Sequence, residues 1–439
     1  MSFGLVFVGT ALAELYVLRR MRFEWPIVAL VVAGTLLSVD YATYTAISER
    51  NYDAAAHVEY IQTLAHSGRP PEVFACVACG HPPLYYALGA IWSKATLLVG
   101  FMPLELGLQW LSLLLFSSFV VVGLLIFRSS GAGGTTLWLA TALLVFWPSS
   151  VINSVRVHND ALASPLLLAA TYFIAQWDKE QRPRDFYAAV ATAALSLLTK
   201  ATGYTVAATL LLVVALRLRT SSSPRTVALR SAVAVAVLTA TECLAVGLRD
   251  SRQPTTLCQK IFGLACNGRY VPAVADTPGR FLSFDLPGFV GQIDALHPAH
   301  DYFLNRLLKS SLFGVAPLGD DFAGGRFTVL ASVMSLLLLA MLVSCLVALF
   351  VRRASLRPYR AYVVMCAVML ASLVAFRVAR PNEYHEDFRH IFPVLVPFCL
   401  CYAKVVSELG RRSRRLRQGG VGIALLMVAA SIGFFARLP

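Results

Sequence analysis

Five short stretches of this 439-residue chain place titratable side chains at spacings that suit chemistry on an anionic substrate. The first runs from Asn51 to His57. Its Asp53 and His57 are four residues apart, so both lie on one face if the stretch is helical. A carboxylate beside an imidazole could remove a proton from an acceptor. An aspartate at the start of a helix is also an ordinary N-terminal cap, so the spacing alone leaves catalysis and capping open.

Two further stretches combine a stiff or helix-initiating backbone with polar side chains. One reads HPPLYY, and its two prolines set the backbone direction between His81 and Tyr85, which suits residues that must be held in place. An ordinary turn into a helix with interfacial tyrosines would have the same sequence. The other reads RVHND and ends in Asn159 and Asp160. Asp160 suits a helix start, and it could also face the same cavity as Asp53.

The last two stretches carry cations at the ends of apolar segments. Lys200 ends the sequence LTK between two apolar runs, where an ionisable residue at the bilayer centre would cost about 2.5–3.5 kcal/mol. It is either functional or snorkels to the headgroups. Arg389 and His390 enter a late apolar run, and the guanidinium suits a phosphate because it donates two parallel hydrogen bonds. The alternative is an ion pair with Glu386 or Asp387.

Composition places these stretches in a membrane protein. The chain is 57% hydrophobic and 14% charged, whereas soluble domains average about 25% charged residues. Its mean hydropathy is +0.67. The net charge of +14 would suggest nucleic-acid binding in a soluble protein, but in a membrane protein it indicates topology. We therefore expect no nucleic-acid partner and an all-α polytopic fold.

Twelve apolar runs predict about 11–13 transmembrane helices, together with interfacial helices. The runs are residues 3–18, 25–46, 104–127, 134–152, 160–177, 186–199, 202–217, 228–248, 327–350, 361–378, 391–408 and 420–437. Several are shorter than the roughly 20 residues that a bilayer requires. The run 3–18 lacks the features of a cleavable signal, so it is either a retained span or a surface helix. The runs 186–199 and 202–217 could be two short spans or one broken span.

The basic clusters indicate which side of the membrane each loop occupies. They lie at residues 19–22, 179–184, 217–230, 352–360 and 411–417, and alternating spans place all five on one side. Lysine and arginine collect in cytoplasmic loops, so this side is predicted to be cytoplasmic. The outer side then holds residues 47–103, 153–159, 249–326 and 378–390, and all eight histidines fall in or beside these segments. A purely structural bundle has no reason to sort titratable groups in this way.

The two long outer segments are predicted to have different roles within a single transmembrane domain, residues 1–439. In the first external loop, 47–103, the stretches 53–64 and 84–99 have helical composition with apolar faces, so they are expected to lie along the membrane surface. The segment 249–326 carries aromatic residues and prolines and is expected to form a cap over the bundle.

In this order, the five stretches resemble the GT-C glycosyltransferases that use polyprenyl-phosphate sugars, near the protein O-mannosyltransferase and aminoarabinose-transferase groups. The resemblance covers roughly residues 25–400. Each motif alone is weak, but their order, spacing and common sidedness are fairly specific. The pieces that carry it are Asp53 in the first external loop, His81 to Tyr86, Asn159-Asp160, Leu198-Thr199-Lys200 and Arg389 to Pro393.

The resemblance implies roles for individual residues. Asp53 would be the catalytic base, and Lys200 and Arg389 would bind the donor phosphate. The substrate-binding residues would be His57, His81, Tyr85, Asn159, Asp160 and His390. The sequence departs from the family pattern at two places. Ala54 stands where an acidic residue commonly follows Asp53, which leaves Asp53 as the carboxylate unless Glu49 or Glu59 turns in, and His390 stands where an aromatic ring is usual.

The implied reaction is the transfer of a sugar from a polyprenyl-phosphate donor to an envelope lipid, glycan or protein, with inversion at the anomeric carbon. The enzyme would sit in the inner (plasma) membrane with its site facing the periplasm or exterior. No cofactor is expected, although a divalent ion held by Asp53, Asp160 and a histidine stays possible. The rival functions are a transporter or flippase, a ligase of lipid-linked glycans, and a non-catalytic scaffold. A transporter should show paired broken helices in repeats, which the sequence lacks.

Four of the nine cysteines fall in the predicted outer segments, where disulfides are favoured: Cys76, Cys79, Cys258 and Cys266. Four cysteines allow three pairings. Local pairs, Cys76–Cys79 and Cys258–Cys266, are preferred because short loops close at low entropic cost. Cross-pairing would instead tie the two outer segments together, and the spacing of Cys76, Cys79 and His81 also permits a zinc site. The other five cysteines are predicted to be packing residues.

Overall fold

The structure, a computed structural model, is helical throughout the part of the chain that it describes. That part comprises residues 2–50, 53–73, 75–98, 102–219, 224–250, 277–297, 301–315, 322, 324–351, 358–379 and 383–436. It contains helices and no strand. The predicted all-α fold is confirmed.

Nineteen α-helices and two short 3₁₀ helices follow one another in these described ranges. The first ten are α1 Ser2–Arg20, α2 Trp25–Tyr44, α3 Ile47–Arg50, α4 Ala54–Ser67, α5 Leu84–Leu98, α6 Leu104–Ser129, α7 Gly134–Phe146, α8 Pro148–Ser154, α9 Asp160–Glu180 and α10 Pro183–Leu197. Next come α11 Gly203–Leu218, α12 Pro224–Asp250, α13 Pro278–Leu282, α14 Leu286–Gly291, α15 Phe303–Phe313, α16 Gly325–Val351 and α17 Arg360–Ala379. The chain continues with 3₁₀ helices η1 Glu383–Glu386 and η2 Phe388–Val394, then α18 Leu395–Arg412 and α19 Arg414–Phe435. Each of the twelve predicted apolar runs coincides with one or two of these helices.

Seven helical segments in the described ranges are long and apolar enough to cross a membrane. They are α2, α6, α12, α16, α17, the continuous segment 388–412 and α19. The helices α7 and α8 together are long and apolar enough for either a broken span or a re-entrant loop, and they are bent by 57° at their junction. The break has a local cause, because Pro148 cannot donate the backbone hydrogen bond that would continue α7. The chain is therefore a multi-pass membrane protein.

The runs 186–199 and 202–217 form two separate helices, α10 and α11, and both pack against α9. The turn between them requires a glycine at position 203. A Cβ atom there would lie 2.6 Å from the backbone nitrogen of Leu197, closer than any real side chain approaches. This tight turn holds Lys200 at the end of α10, so the sequence LTKATG encodes a fixed position for the lysine.

One end of the bundle collects basic residues, as the charge pattern predicts. Asp178, near the end of α9, pairs with Arg217 of α11 at 2.7 Å and with Arg360 of α17. On the same side, Arg128 of α6 donates to the Met21 carbonyl beside α1. The residues singled out for chemistry lie at the other ends of these helices, since α9 starts at Asp160 and α10 ends just before Lys200.

The predicted first external loop contains the short helix α3 and two longer helices, α4 and α5, which pack on each other, and α5 also packs on α6 of the bundle. Tyr60 of α4 stacks on Tyr86 of α5 with ring centroids 3.7 Å apart. Gly89 allows the close approach, because a Cβ there would lie 2.8 Å from the Ile61 side chain. The helices predicted over 53–64 and 84–99 are thus present as α4 and α5, and their contact fixes the positions of the residues that begin them.

A buried charge cluster anchors the segment that carries Arg389. The carboxylate of Glu386 is fully buried and lies 2.5 Å from Arg280 of α13 and 2.5 Å from Arg377 of α17. Arg306 of α15 is 3.9 Å away. Glu386 is three residues before Arg389. Its carboxylate therefore ties this segment to α13 and α15, which are distant in sequence, and to the end of α17, which precedes it.

We expect Glu386→Gln to destabilise the protein by about 3–5 kcal/mol, because it removes the negative partner from buried guanidinium groups. A lower thermal unfolding midpoint in detergent, or a loss of monodisperse protein, would show this effect. Glu72→Gln makes the same chemical change at an exposed site and should leave the midpoint unchanged. An E386Q midpoint equal to that of E72Q would contradict the anchoring role.

Candidate active site

Asp53 is positioned at the start of α4, but it does not cap that helix. Its side chain accepts no capping hydrogen bond from the helix amides. It lies instead 3.6 Å from the Nε2 of His57 and 3.6 Å from the Nη2 of Arg389. The carboxylate is largely buried, and its Oδ1 has no hydrogen-bond partner. Of the two interpretations left open by the spacing, the geometry disfavours capping.

The charge on Asp53 is stabilised by its neighbours. Burial alone would raise the pKa of the Asp53 carboxyl, but the Arg389 guanidinium and His57 together lower this pKa well below its usual range. Asp53 is therefore ionised at neutral pH. Glu59 is exposed on α4 and does not turn toward this carboxylate, while the side chain of Glu49 lies outside the described residues.

The side chain of His57 packs against the rings of Tyr86 and His81. Its Nδ1 lies 2.9 Å from the hydroxyl of Tyr86, and its ring lies parallel to those of Tyr86 and His81 at centroid distances of 5.8 and 6.1 Å. The HPPLYY stretch thus contacts the Asp53 stretch, as the common sidedness predicts. Burial, followed by the charge of Lys200, lowers the pKa of His81 to about 3, so that ring is neutral.

Arg389 joins the late segment to the first loop. Its Nε lies 3.3 Å from the Oδ2 of Asp387, and its Nη2 faces Asp53. Asp387 also accepts the backbone N–H of Arg389 at 3.0 Å, which holds the start of η2. The expected ion pair with Asp387 is present, whereas Glu386 points into the arginine cluster described above. The same guanidinium therefore contacts both its local partner and the proposed base.

Lys200 and Asp160 form a buried ion pair. The Nζ of Lys200 lies 2.6 Å from both carboxylate oxygens of Asp160, and both side chains are less than a tenth exposed. The lysine does not snorkel to the surface. The ion pair with Asp160 uses two of the three N–H donors of Lys200 and leaves the third for another acceptor. A backbone hydrogen bond from Leu84 to the Leu198 carbonyl ties the HPPLYY stretch to the LTK turn.

A small cavity is lined by one member of each ion pair, Asp160 and Arg389. His158, only 2% exposed, lies at its edge, and its Nδ1 accepts the backbone N–H of Asp160 at 3.0 Å. We did not single out His158 from the sequence, although it lies inside the RVHND stretch. Three phenylalanines, Phe116, Phe119 and Phe392, line the cavity together with polar side chains that include His158, Asp160 and Arg389.

The other predicted substrate-binding residues lie around this centre in different environments. Asn159 precedes α9, is 1% exposed, and has a side-chain nitrogen with no hydrogen-bond partner. His390 packs edge-on against Phe376 with a centroid distance of 5.9 Å, and its Nε2 is unpartnered. Tyr85 packs into a hydrophobic cluster with Tyr86 and Leu108.

Cys76 and Cys79 form a disulfide, which is the preferred local pairing. Their sulfurs are therefore not available as thiolate ligands, which argues against zinc at this point. Cys258 and Cys266 lie outside the described residues. The disulfide closes the turn just before His81, whose backbone N–H donates to the Ala78 carbonyl at 3.1 Å.

Reducing this disulfide should loosen the turn that leads to His81. For so short a loop, cross-linking contributes about 2 kcal/mol. We expect the double variant C76S/C79S to unfold at a lower temperature than the unaltered protein and to be insensitive to reductant. The unaltered protein should shift down to the level of the variant when a reductant is added. Equal midpoints for both proteins under oxidising conditions would contradict a stabilising role.

The described residues contain no group of three or more His, Cys, Asp or Glu side chains that could hold a metal ion. The cationic groups of the site include Lys200 and Arg389. The arrangement offers an ionised carboxylate, these cations, the neutral ring of His81 and a cavity lined in part by phenylalanines. These groups suit the transfer of a group away from an anionic leaving group.

Sequence comparison gives no match to any protein-family model or to any curated protein. Comparison of structures does find similar folds. The crystal structure of the Archaeoglobus fulgidus oligosaccharyltransferase in complex with Zn and sulfate is similar, with a TM-score of 0.53 and 12% identity over 93% of this chain and 53% of that chain. The apo form of that enzyme gives a TM-score of 0.51, with 14% identity over 95% of this chain and 56% of that chain.

A third similar structure, ArnT from Cupriavidus metallidurans bound to undecaprenyl phosphate, has a TM-score of 0.42 and 16% identity over 93% of this chain and 76% of that one. The chain spans about half the length of the oligosaccharyltransferase, with 53% of it covered. The similarity to the oligosaccharyltransferase shows the fold, which is of the GT-C type. The fold indicated by the order of the five stretches is confirmed.

Proposed function

We propose that this chain, which has the GT-C fold, is an integral membrane glycosyltransferase that uses a polyprenyl-phosphate sugar. One observation carries the proposal: Asp53 is an ionised, largely buried carboxylate that does not cap its helix and has one oxygen without a partner. It lies beside a guanidinium that suits a phosphate. An acceptor hydroxyl or amine would satisfy the free Oδ1.

In the proposed reaction, the acceptor attacks the anomeric carbon from the side opposite the phosphate. The bond from the acceptor oxygen or nitrogen to this carbon forms while the bond from carbon to phosphate oxygen breaks, so the anomeric configuration inverts. The acceptor proton passes to Asp53. The bonding electrons leave with the polyprenyl phosphate, which is already a stable anion, so no general acid is required.

Arg389 would couple donor binding to the basicity of Asp53. A carboxylate with a strongly lowered pKa is a weak base, and Arg389 is the main cause of that lowering. The contact at 3.6 Å is longer than a tight ion pair, so a donor phosphate can compete for the guanidinium. As Arg389 turns to the phosphate, the pKa of Asp53 rises toward its ordinary value. The base is then strengthened when the donor is in place.

Lys200 would contribute its remaining N–H donor to the phosphate while Asp160 holds its position. Stabilising the developing charge on the leaving group is usually the largest single contribution to catalysis. The phenylalanines that line the cavity, Phe116, Phe119 and Phe392, would contact the first isoprene units of the donor. His57, His81, Asn159 and His390 would orient the sugar or the acceptor.

The location of the reaction follows from the charge pattern. The site lies at the end of the bundle opposite the basic clusters, and basic residues favour the cytoplasmic side. We therefore infer that the site faces the periplasm or exterior of the inner (plasma) membrane. The acceptor would be an envelope lipid, glycan or protein that reaches the site from outside, while the donor stays in the membrane.

Hydrolysis of the donor provides a test that does not need the natural acceptor. The purified chain in nanodiscs is supplied with undecaprenyl-phosphate sugars carrying different labelled monosaccharides, and free undecaprenyl phosphate is measured over time. Slow release from at least one donor is the expected result, because water can replace the acceptor. A flippase would move the intact donor between leaflets without cleaving it. A glycan ligase would instead cleave a pyrophosphate-linked donor, and either result would overturn the proposal.

A further inference from the structure

The orientation of His158 determines which ring nitrogen carries the proton. The Nδ1 atom lies 3.0 Å from the backbone nitrogen of Asp160, which can only donate. The same Nδ1 lies 3.4 Å from the Asp160 carboxylate, whose two oxygens accept from Lys200 at 2.6 Å. The shorter contact makes Nδ1 an acceptor. The proton of the neutral ring is therefore on Nε2.

This Nε2–H group is buried and has no hydrogen-bond partner. Buried donors are almost always satisfied in folded proteins, so an orphan donor at the edge of a cavity indicates a ligand. His158 borders the same cavity as Arg389 and the three phenylalanines. A ligand that fits there must offer an acceptor oxygen, carry negative charge for the guanidinium and continue into an apolar tail.

We propose that the Nε2–H of His158 donates a hydrogen bond to an oxygen of the donor-lipid phosphate, in a site that works without a divalent cation. This inference rests on the function proposed above and deepens it. The phosphate would then be held by the forked guanidinium of Arg389, by the free donor of Lys200 and by one neutral imidazole. Three nitrogen-based partners would replace the charge that a metal supplies.

The same hydrogen bond argues against a metal on His158. A histidine binds a metal through an unprotonated nitrogen, and its other nitrogen usually donates its proton to a carboxylate or carbonyl. Coordination through Nε2 would move the proton to Nδ1. Two N–H donors, those of Nδ1 and of the Asp160 backbone, would then face each other with no acceptor between them. Burial lowers the pKa of His158 to about 4, so the ring stays neutral and keeps one proton at neutral pH. The donor set fits a phosphate oxygen better than a metal ion.

The test measures binding of farnesyl phosphate, a short soluble polyprenyl phosphate, to the purified full-length protein in detergent. In His158→Gln the amide nitrogen can replace Nε2, whereas in His158→Asn it reaches only the place of Nδ1. We expect H158Q to bind within about 3-fold of the unaltered protein and H158N to bind about 10-fold more weakly, as for one hydrogen bond to a charged group. Farnesol, which lacks the phosphate, should bind both variants equally.

The control variant is His66→Asn, which makes the same change on the exposed face of α4 and should bind normally. EDTA, and Mn²⁺ added after it, should change neither the binding nor the donor hydrolysis of the unaltered protein. Equal binding by H158N and H66N, or a requirement for Mn²⁺, would overturn the assignment of His158. If the unaltered protein fails to bind farnesyl phosphate, the result contradicts both the polyprenyl-phosphate donor of the proposed function and the role assigned to His158.

Discussion

Replacing Asp53 with asparagine is expected to lower the rate of donor hydrolysis or sugar transfer by about 10²–10⁴-fold, the usual contribution of a general base. The amide has nearly the same shape as the carboxylate, but it cannot take the acceptor proton. Binding of farnesyl phosphate should not weaken, since the change removes a competing anion from Arg389. The rate and the binding constant, measured on one preparation, separate the chemical role from the binding role.

Asp294→Asn provides a matched control for this experiment. Asp294 is exposed in the predicted cap segment, where its carboxylate accepts a local backbone N–H. The control variant should hydrolyse the donor at the normal rate. Full activity of a well-folded D53N variant would exclude Asp53 as the base. A loss of binding together with rate would indicate instead that Asp53 mainly orders the site.

Arg389→Gln is expected to lower the rate by about 10²–10³-fold, as the removal of one group that stabilises the developing charge typically does. It should also weaken the binding of farnesyl phosphate. Arg389→Lys keeps the charge but loses the forked geometry, so its rate should fall between those of the unaltered protein and R389Q. Arg411→Gln, an exposed change at the basic end of the bundle, should have no effect.

The pH dependence of R389Q gives a second and independent result. In the unaltered protein the pKa of Asp53 is held well below its usual range, mainly by Arg389 acting against burial. Without the guanidinium, burial dominates and the pKa of Asp53 rises. The rate of R389Q should then fall at a higher pH than that of the unaltered protein as the solution is acidified. Coincident acid limbs between pH 4 and 8 would show that the two groups do not interact.

Much of the site could be predicted because its pieces are local. Asp53 with His57, the HPPLYY stretch and the LTK turn are each contained within a few residues, and their order along the chain indicated the fold. The helical periodicity and the basic clusters then placed them on one side of the membrane. The pair of Arg389 with Asp387 is one of the two alternatives that the local sequence offered, because neighbours in sequence need no tertiary contact to meet.

Other features could not be predicted because they depend on contacts between distant segments. Glu386 forms an ion pair with Arg280, which is 106 residues earlier in the chain, and neither local sequence indicates this pair. The importance of His158 depends on the missing hydrogen-bond partner of its buried Nε2, which can be recognised only when the surrounding side chains are placed. Lys200 could be identified as a buried cation, but its bidentate partner Asp160 is forty residues away.

The sequence by itself predicted the membrane environment, the grouping of the site residues at one end of the bundle and the local geometry of the site, because hydropathy, charge and turn chemistry act over a few residues. It placed Asp53, Lys200 and Arg389 at the same end of a helical bundle. Only the tertiary structure decided which of them contact each other. Side-chain pairing depends on angles and distances between packed helices, and therefore Arg389 could be seen to face Asp53 only in the folded chain.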